Sequence, residues 1–318
     1  MTPKPATRKR GGLRGRDFCS IDDCAASEIR SLLALARTIK ARPRAYRRAL
    51  DGKIMALIFE KPSLRTRTTF TVGIKQLGGD SLLLTPADIN IGKRESVEDV
   101  ARNLERMVSG IMIRTFAHAI CTSLADHASI PVINGLTDRE HPCQAMADFM
   151  TILETKRSLR GLKIAYVGDG NNVANSLLLA AAKLGAAFTL GTPPAYRPDG
   201  AILARAREIA AATGARIDLV DDPVEAVRGA GVVYTDTWTS MGQEEEAVLR
   251  RKVFAPYQVN RALFAYAASG AVFMHCLPAH RGEEVTDEII DSPASVVFQQ
   301  AENRLHVQKA IMLELLRN

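Results

Sequence analysis

Residues 53–78 read KIMALIFEKPSLRTRTTFTVGIKQLG, and this stretch decides the fold. Its first part, residues 53–59, is short and continuously apolar after Lys53, which is typical of a strand buried on both faces of a sheet. A polar segment follows, and apolar side chains then recur at helical spacing at Phe70, Ile74 and Leu77 before a glycine ends the pattern. The stretch therefore predicts a strand, a short loop and a helix.

The same alternation continues in both directions along the chain. Residues 21–41 carry apolar side chains at helical spacing and predict a first helix. Short apolar runs that predict strands lie at residues 53–59, 110–114, 131–134, 163–167, 187–190, 216–220, 231–235 and 271–275. Buried strands separated by helices are typical of parallel sheets. We therefore expect the α/β class, with each domain a parallel-sheet α/β sandwich that has helices on both faces.

The length of the chain, 318 residues, favours two domains, since one domain commonly holds about 150. A polar, basic stretch around residues 153–162 separates a predicted helix from a predicted strand. We place the boundary there, with domains over residues 17–153 and 154–298. A last helix over residues 299–318 follows, and the sequence leaves open whether it returns to the first domain.

The net charge of +7 is concentrated at the amino terminus. Residues 1–16 hold six basic residues and no acidic one, which leaves +1 for the remainder. A Gly- and Pro-containing terminus of this kind is typical of a disordered tail. A nucleic-acid-binding protein usually carries its basic residues on a folded element, so we predict no nucleic-acid partner.

Composition also bears on the compartment. No apolar run approaches the roughly 18 residues of a membrane-spanning helix. The five cysteines are odd in number and form no CxxC pair, which argues against disulfides and against a zinc site. We therefore predict a soluble, cytoplasmic protein with no metal and no membrane partner.

The segment Ser63–Arg67 has the features of an anion site. Ser63 stands at the N-cap of the predicted helix, where unpaired backbone N–H groups and the helix dipole attract anions. The positive charges of Arg65 and Arg67 are unfavourable near the positive end of that dipole, and a bound anion would offset this repulsion. The alternative is a capped helix with solvated arginines.

Two nucleotide motifs are absent or incomplete. The chain has no GxxxxGK[ST] segment, so a P-loop is excluded. Residues 168–173, GDGNNV, resemble a dinucleotide fingerprint but end in Val173 where a third glycine belongs. No acidic residue ends the following strand, where residues 190–192 read LGT. We therefore disfavour a dehydrogenase and expect no cofactor.

Four motifs in order resemble those of the aspartate/ornithine carbamoyltransferase family. They are SLRTR at 63–67, HPCQ at 141–144, DTWTSMG at 236–242 and HCLP at 275–278. The resemblance extends from about Gly15 onward. Its last two motifs are those of the ornithine enzymes, so it implies carbamoyl transfer from carbamoyl phosphate to the side-chain amine of L-ornithine, in arginine or urea-cycle metabolism. It also implies a homotrimer or a multiple of trimers.

The resemblance implies two sets of site residues. The carbamoyl phosphate site would comprise Ser63, Leu64, Arg65, Thr66, Arg67, Asn90, Arg114, His141, Gln144, Cys276, Leu277 and Arg304. The ornithine site would comprise Asn172, Asp236, Ser240 and Met241. Two positions depart from the family pattern: Leu64 replaces a common Thr, which matters little if only its N–H is used, and Asn90 replaces a common Gln.

Three of these residues would be catalytic. Arg65 would neutralise charge on the departing phosphate, and His141 would polarise the carbamoyl group. Cys276, neutral at its ordinary pKa of about 8.5, would lie beside the attacking nitrogen. The alternatives are a helix-starting role for His141 and an inert, buried Cys276.

Two other functions stay open at this point. The first is a carbamoyltransferase for another amine, such as N-acetylornithine, putrescine or lysine. The second is an inactive homologue that acts as a binding or regulatory protein, with the basic tail as a nucleic-acid arm.

Overall fold

The computed structural model describes residues 12–239 and 244–317. They form two compact units. The N-terminal unit runs to Met150 and resumes at Asn303, and the C-terminal unit spans Thr151–Glu302. Among the described residues, no helix is both long and apolar enough to cross a membrane.

The N-terminal unit is built on a four-stranded parallel sheet in the order β2-β1-β3-β4. Its strands are β1 (Ile54–Phe59), β2 (Asp80–Leu84), β3 (Gly110–Arg114) and β4 (Val132–Leu136). Its helices are α1 (Ala26–Ala41), α2 (Leu64–Gln76), α3 (Val97–Leu104) and α4 (His118–His127), with most of α5 (Pro142–Lys156) and α12 (Val297–Leu316). Consecutive residues of β1 and β3 are buried, so both faces of the sheet are covered.

The C-terminal unit has a five-stranded parallel sheet in the order β7-β6-β5-β8-β9. Its strands are β5 (Lys163–Val167), β6 (Ala187–Gly191), β7 (Arg216–Val220), β8 (Val232–Thr235) and β9 (Val272–His275). Its helices are α6 (Asn172–Leu184), α7 (Gly200–Thr213), α8 (Pro223–Val227), α9 (Ala247–Phe254), α10 (Arg261–Phe264) and α11 (Asp287–Ile290). The predicted fold class is confirmed.

Each sheet contains one topological switch point. The chain reverses its direction across the sheet between β1 and β3 in the first unit and between β5 and β8 in the second. The loops that follow the two strands of such a pair lead away from each other and leave a crevice, which is where open α/β sheets bind ligands. Each unit therefore offers one crevice.

Three predictions of the sequence need correction. The edge strand β2 was missed because its side chains are at least partly exposed and lack a continuous apolar pattern. Helix α5 continues to Lys156, and the units divide between Met150 and Thr151 rather than at residue 153, because a helix can carry the chain from one unit to the next. The last helix starts at Val297 rather than at residue 299.

The predicted tail also ends earlier than residue 16. Residues 1–11 lie outside the described part of the chain. Leu13 is buried, and the backbone N–H of Gly15 donates to the carbonyl oxygen of Leu315 at 2.9 Å. Arg16 forms an ion pair with Glu28. The segment from Gly12 to Arg16 therefore belongs to the N-terminal unit.

Candidate active site

The first turn of α2 has the predicted capped geometry. Ser63 is the N-cap, and its Oγ accepts from the backbone N–H of Thr66 at 3.1 Å. The side chain of Leu64 is 76% exposed, so this position offers the helix N-terminus only its backbone. The remaining N–H groups of the turn, with the helix dipole, form an anion-attracting end at the switch point after β1.

Thr66 joins two arginines that are distant in sequence. Its Oγ1 accepts from Nη2 of Arg304 at 2.7 Å and from Nη1 of Arg114 at 3.3 Å. All three side chains are buried, and Arg304 is only 2% exposed. Arg114 ends β3, the other strand of the switch point. The structure thus brings together four of the predicted residues from three segments of the chain. They are Ser63 and Thr66 in one turn, Arg114 and Arg304.

His141 lies beside this cluster of arginines. Its side chain is buried, and burial, followed by the charges of Arg304, Arg114 and Arg65, lowers its pKa well below the usual value. The imidazole is therefore neutral near pH 7. Grouped guanidinium charges of this kind repel one another unless an anion is bound, which is the electrostatic signature of a phosphate site.

The lowered pKa of His141 predicts a loss of stability in acid. Below about pH 6.5 the unfolded chain takes up a proton on this histidine and the folded chain does not. Stability from the neutral imidazole is therefore complete above that pH and falls below it, by at most about 1.4 kcal/mol per pH unit. Urea unfolding between pH 7.5 and 5.0 should show a steeper loss for the unmodified chain than for His141→Asn. Parallel curves would contradict this assignment.

A cavity of about 380 Å³ adjoins the capped turn. Ser63 and Arg67 line it together with Lys61, a residue that the sequence analysis did not select. Lys61 is 7% exposed, and its Nζ lies 4.0 Å from the ring centroid of Phe116, in a cation–π contact. The signal in the sequence was its position two residues after β1, at the switch point.

Two of the predicted residues, Gln144 and Asn90, lie in different environments. Gln144 is buried in the first turn of α5, three residues after His141, and its Nε2 donates to Asp148 Oδ1 at 2.8 Å. Asn90 is exposed, with a φ of 41°, in the loop after β2. The hydrogen bonds found among the described residues do not connect Asn90 to the arginine cluster, so its assignment stays a prediction.

The switch point of the C-terminal unit is centred on Asp236, directly after β8. This carboxylate is buried, accepts from Asn171 Nδ2 at 2.8 Å and accepts from the thiol of Cys276 at 2.9 Å. Asn171 is the N-cap of α6, and its Oδ1 accepts from two backbone N–H groups of that helix. The sequence analysis did not select Asn171, whose position before a helix was the available signal, and the assignment of Asn172 to ornithine stays a prediction.

The two glycines of the GDG segment have structural roles. Gly168 has a φ of 138°, a conformation that favours glycine. A Cβ on Gly170 would lie 2.4 Å from the backbone nitrogen of Pro198. The likeness to a dinucleotide fingerprint therefore follows from backbone conformation and close packing.

His275 orders the HCLP segment at the end of β9. Its Nδ1 accepts from the backbone N–H of Leu277 at 2.8 Å, so the proton of the neutral ring is on Nε2, which faces Glu284 Oε1 at 3.1 Å. The N–H of Leu277 is therefore already paired within this segment. Cys276 and Leu277 both belong to the C-terminal unit.

Arg250 holds the ends of the segment that contains the SMG motif. Its Nη1 donates to the carbonyl oxygen of Trp238 at 3.0 Å and to Asp169 Oδ2 at 2.9 Å, and its Nε donates to Glu246 at 2.9 Å. Burial raises the pKa of Asp169 to about 6, against the opposing charge of Arg250. The predicted ornithine residues Ser240 and Met241 lie outside the described residues.

Asp236, His275 and Cys276 have potential metal-ligand atoms within 4.8 Å of one another. Both ring nitrogens of His275 already have partners, and Cys276 donates to Asp236. A metal would have to break these hydrogen bonds, so we assign none.

Fold and site together define a class: a two-domain α/β enzyme with an arginine-rich anion site at one switch point and a carboxylate at the other. Two family models match the chain. "Aspartate/ornithine carbamoyltransferase, carbamoyl-P binding domain" covers residues 16–154, and the corresponding "Asp/Orn binding domain" covers residues 160–315. The chain belongs to the aspartate/ornithine carbamoyltransferase family.

Individual relatives agree with this membership. The chain is 53% identical to the ornithine carbamoyltransferase of Thermococcus kodakarensis, over 94% of its own length and 96% of the relative's. It is 55% identical to that of Symbiobacterium thermophilum, over 94% and 97%. The solved ornithine carbamoyltransferase of Pyrococcus furiosus superposes with a TM-score of 0.94 at 50% identity, covering 96% of this chain and 99% of that one.

Proposed function

We propose that this protein transfers the carbamoyl group of carbamoyl phosphate to the side-chain amine of L-ornithine. A bond forms between the amine nitrogen and the carbonyl carbon, the bond from that carbon to the phosphate oxygen breaks, and the products are L-citrulline and phosphate. The observation that carries the proposal is the buried cluster of Arg114, Arg304 and Thr66 beside His141 at a switch point. Relatives about 50% identical over nearly the whole chain have the same activity in their names.

We assign carbamoyl phosphate to the capped turn and the arginine cluster. The N–H groups of α2 with Arg65 and Arg67 would hold the phosphate, and Arg114 would donate to the carbonyl oxygen. The neutral state of His141 suits it to hydrogen-bond the carbamoyl group without adding charge. The assignment of Cys276, Leu277 and Asn90 to this substrate remains the prediction made from the resemblance.

Asp236 is the residue that we assign to the α-ammonium group of ornithine. A buried carboxylate at the end of a strand is a suitable partner for a cation. The side-chain amine, with an ordinary pKa of about 10.4, must lose a proton before it attacks. We propose that the departing phosphate accepts the proton that the amine loses, since no side chain of the described site is an evident base.

The remaining parts of the proposal concern setting and assembly. We propose a cytoplasmic homotrimer that acts in arginine biosynthesis. All five cysteines are free thiols, which suits a reducing compartment, and one similar enzyme, that of Pyrococcus furiosus, is named anabolic. The mass in solution tests the trimer.

The activity is tested by citrulline production from carbamoyl phosphate and a panel of amines. We expect turnover with L-ornithine and at least about 100-fold lower kcat/KM with N-acetylornithine, putrescine and lysine, because each lacks or misplaces a group that the site would bind. A reaction without enzyme is the control, since carbamoyl phosphate decomposes in water. A preference for another amine would assign the enzyme to that substrate, and absence of product with all of them would contradict the proposal.

A further inference from the structure

Helix α5 contains a buried carboxylate that the mechanism above does not use. Asp148 is 0% exposed and lies one turn after Gln144, which is 1% exposed. Nε2 of Gln144 donates to Oδ1 of Asp148 at 2.8 Å. A carboxyl group in the interior needs hydrogen-bond partners, because burying an unpaired polar group is costly.

The contact decides which way the amide of Gln144 faces. A primary amide has one acceptor, Oε1, and a donor group, Nε2, and in this contact the carboxyl oxygen Oδ1 of Asp148 is the acceptor. Rotation of the amide by half a turn would place its oxygen against the oxygen of Asp148. The carboxylate therefore holds Nε2 toward itself, which leaves Oε1 directed elsewhere.

Oε1 of Gln144 is buried, and no atom in the described part of the chain donates to it. A buried acceptor without a donor is destabilising, so the site is suited to a ligand with an N–H group. Gln144 is three residues from His141, whose neighbours Arg65, Arg114 and Arg304 can only donate. The acceptor thus lies next to a group of donors.

We infer that Asp148 is a positioning residue that aims Oε1 of Gln144 at the NH₂ group of the carbamoyl substrate. This inference rests on the proposed function. The enzyme would thereby distinguish carbamoyl phosphate from acyl phosphates of the same shape, such as acetyl phosphate, in which a methyl group replaces NH₂. The arginines bind the phosphate and carbonyl oxygens that both compounds share, and the Gln144–Asp148 pair senses the group by which they differ.

Two stable phosphonates provide the test: phosphonoacetamide, which carries NH₂, and acetonylphosphonate, which carries CH₃ at the same position. The ratio of their dissociation constants, measured by titration calorimetry, reports selectivity apart from overall affinity. For the unmodified chain we expect a ratio of about 10–100 in favour of the amide. Asp148→Ala should lower the ratio by about fivefold, because the amide of Gln144 is then free to turn.

A double-mutant cycle separates positioning from a general loss of packing. In a Gln144→Ala background the ratio should already be low, and adding Asp148→Ala should not change it further. Met150→Ala, a truncation in the core of the same helix, is the matched control and should leave the ratio unchanged. Should Asp148→Ala not fold, the isosteric Asp148→Asn, in which the amide can take either orientation, is expected to lower the ratio by about two- to threefold.

Three outcomes overturn the inference. They are an unselective unmodified chain, an Asp148 variant that weakens both phosphonates equally, and an effect of Asp148 that persists without Gln144. A chain that makes citrulline but shows one of these results retains its proposed function and loses only this inference. A chain that binds neither phosphonate and makes no citrulline loses both.

Discussion

Replacing Arg65 by Gln should lower kcat for citrulline formation by about 1,000-fold and leave the KM for ornithine within about threefold of its original value. Arg65 lies in the first turn of α2, and its charge contributes to the low pKa of His141. We assign it to the phosphate, on which negative charge grows as the bond to carbon breaks. Loss of one such donor in a site shielded from water typically costs two to three orders of magnitude in rate.

Arg48→Gln is the matched control for Arg65→Gln. Arg48 belongs to the same unit and pairs with Asp51 at the surface, so its removal should leave both constants unchanged. Initial rates over a matrix of both substrate concentrations separate kcat from the two KM values. A variant with normal kcat and a raised KM for ornithine would place Arg65 at ornithine and contradict its assignment to the phosphate.

The second large effect is expected at Asp236. Asp236→Ala should lower kcat/KM for ornithine by about 1,000- to 10,000-fold, because the ammonium group of the substrate would enter a buried site without its carboxylate. Affinity for phosphonoacetamide should change by less than about threefold, since we assign that ligand to the N-terminal unit. Steady-state kinetics and titration calorimetry give the two quantities separately.

Two further variants serve as controls for Asp236→Ala. Asp236→Asn keeps the shape but replaces one of the two carboxylate oxygens, which accept from Asn171 and Cys276, by an NH₂ group. A loss nearly as large as that of Asp236→Ala would show that the site requires the intact carboxylate. Asp218→Asn removes a carboxylate that pairs with Arg216 on β7 and should have no effect. Equal losses for ornithine and phosphonoacetamide would mean that Asp236 acts on the fold rather than on one substrate.

The sequence predicted the parts of the site that follow from local features. Ser63 as an N-cap, the arginines that oppose a helix dipole, and Asp236 at a strand end all depend on neighbours within a few residues. The same holds for the buried strands, whose apolar runs are short and continuous. The resemblance to the family added Arg114, His141, Gln144 and Arg304, which local features alone do not relate to Ser63.

The contacts that the sequence analysis missed join groups whose distance depends on the folded chain. Asn171 contacts Asp236, because the cap of α6 and the end of β8 meet only once β5 and β8 are neighbours. Arg250 reaches Asp169 and Trp238 from α9. Lys61 was passed over because no local pattern marks its packing on Phe116.

The chain by itself determined the α/β class, the positions of the buried strands and an anion-binding helix start, since apolar periodicity and helix capping act over short distances. Tertiary structure alone decided that Thr66 would hold Arg304, 238 residues away, together with Arg114. Such contacts depend on sheet order and helix packing, which bring together side chains that no spacing in the sequence relates.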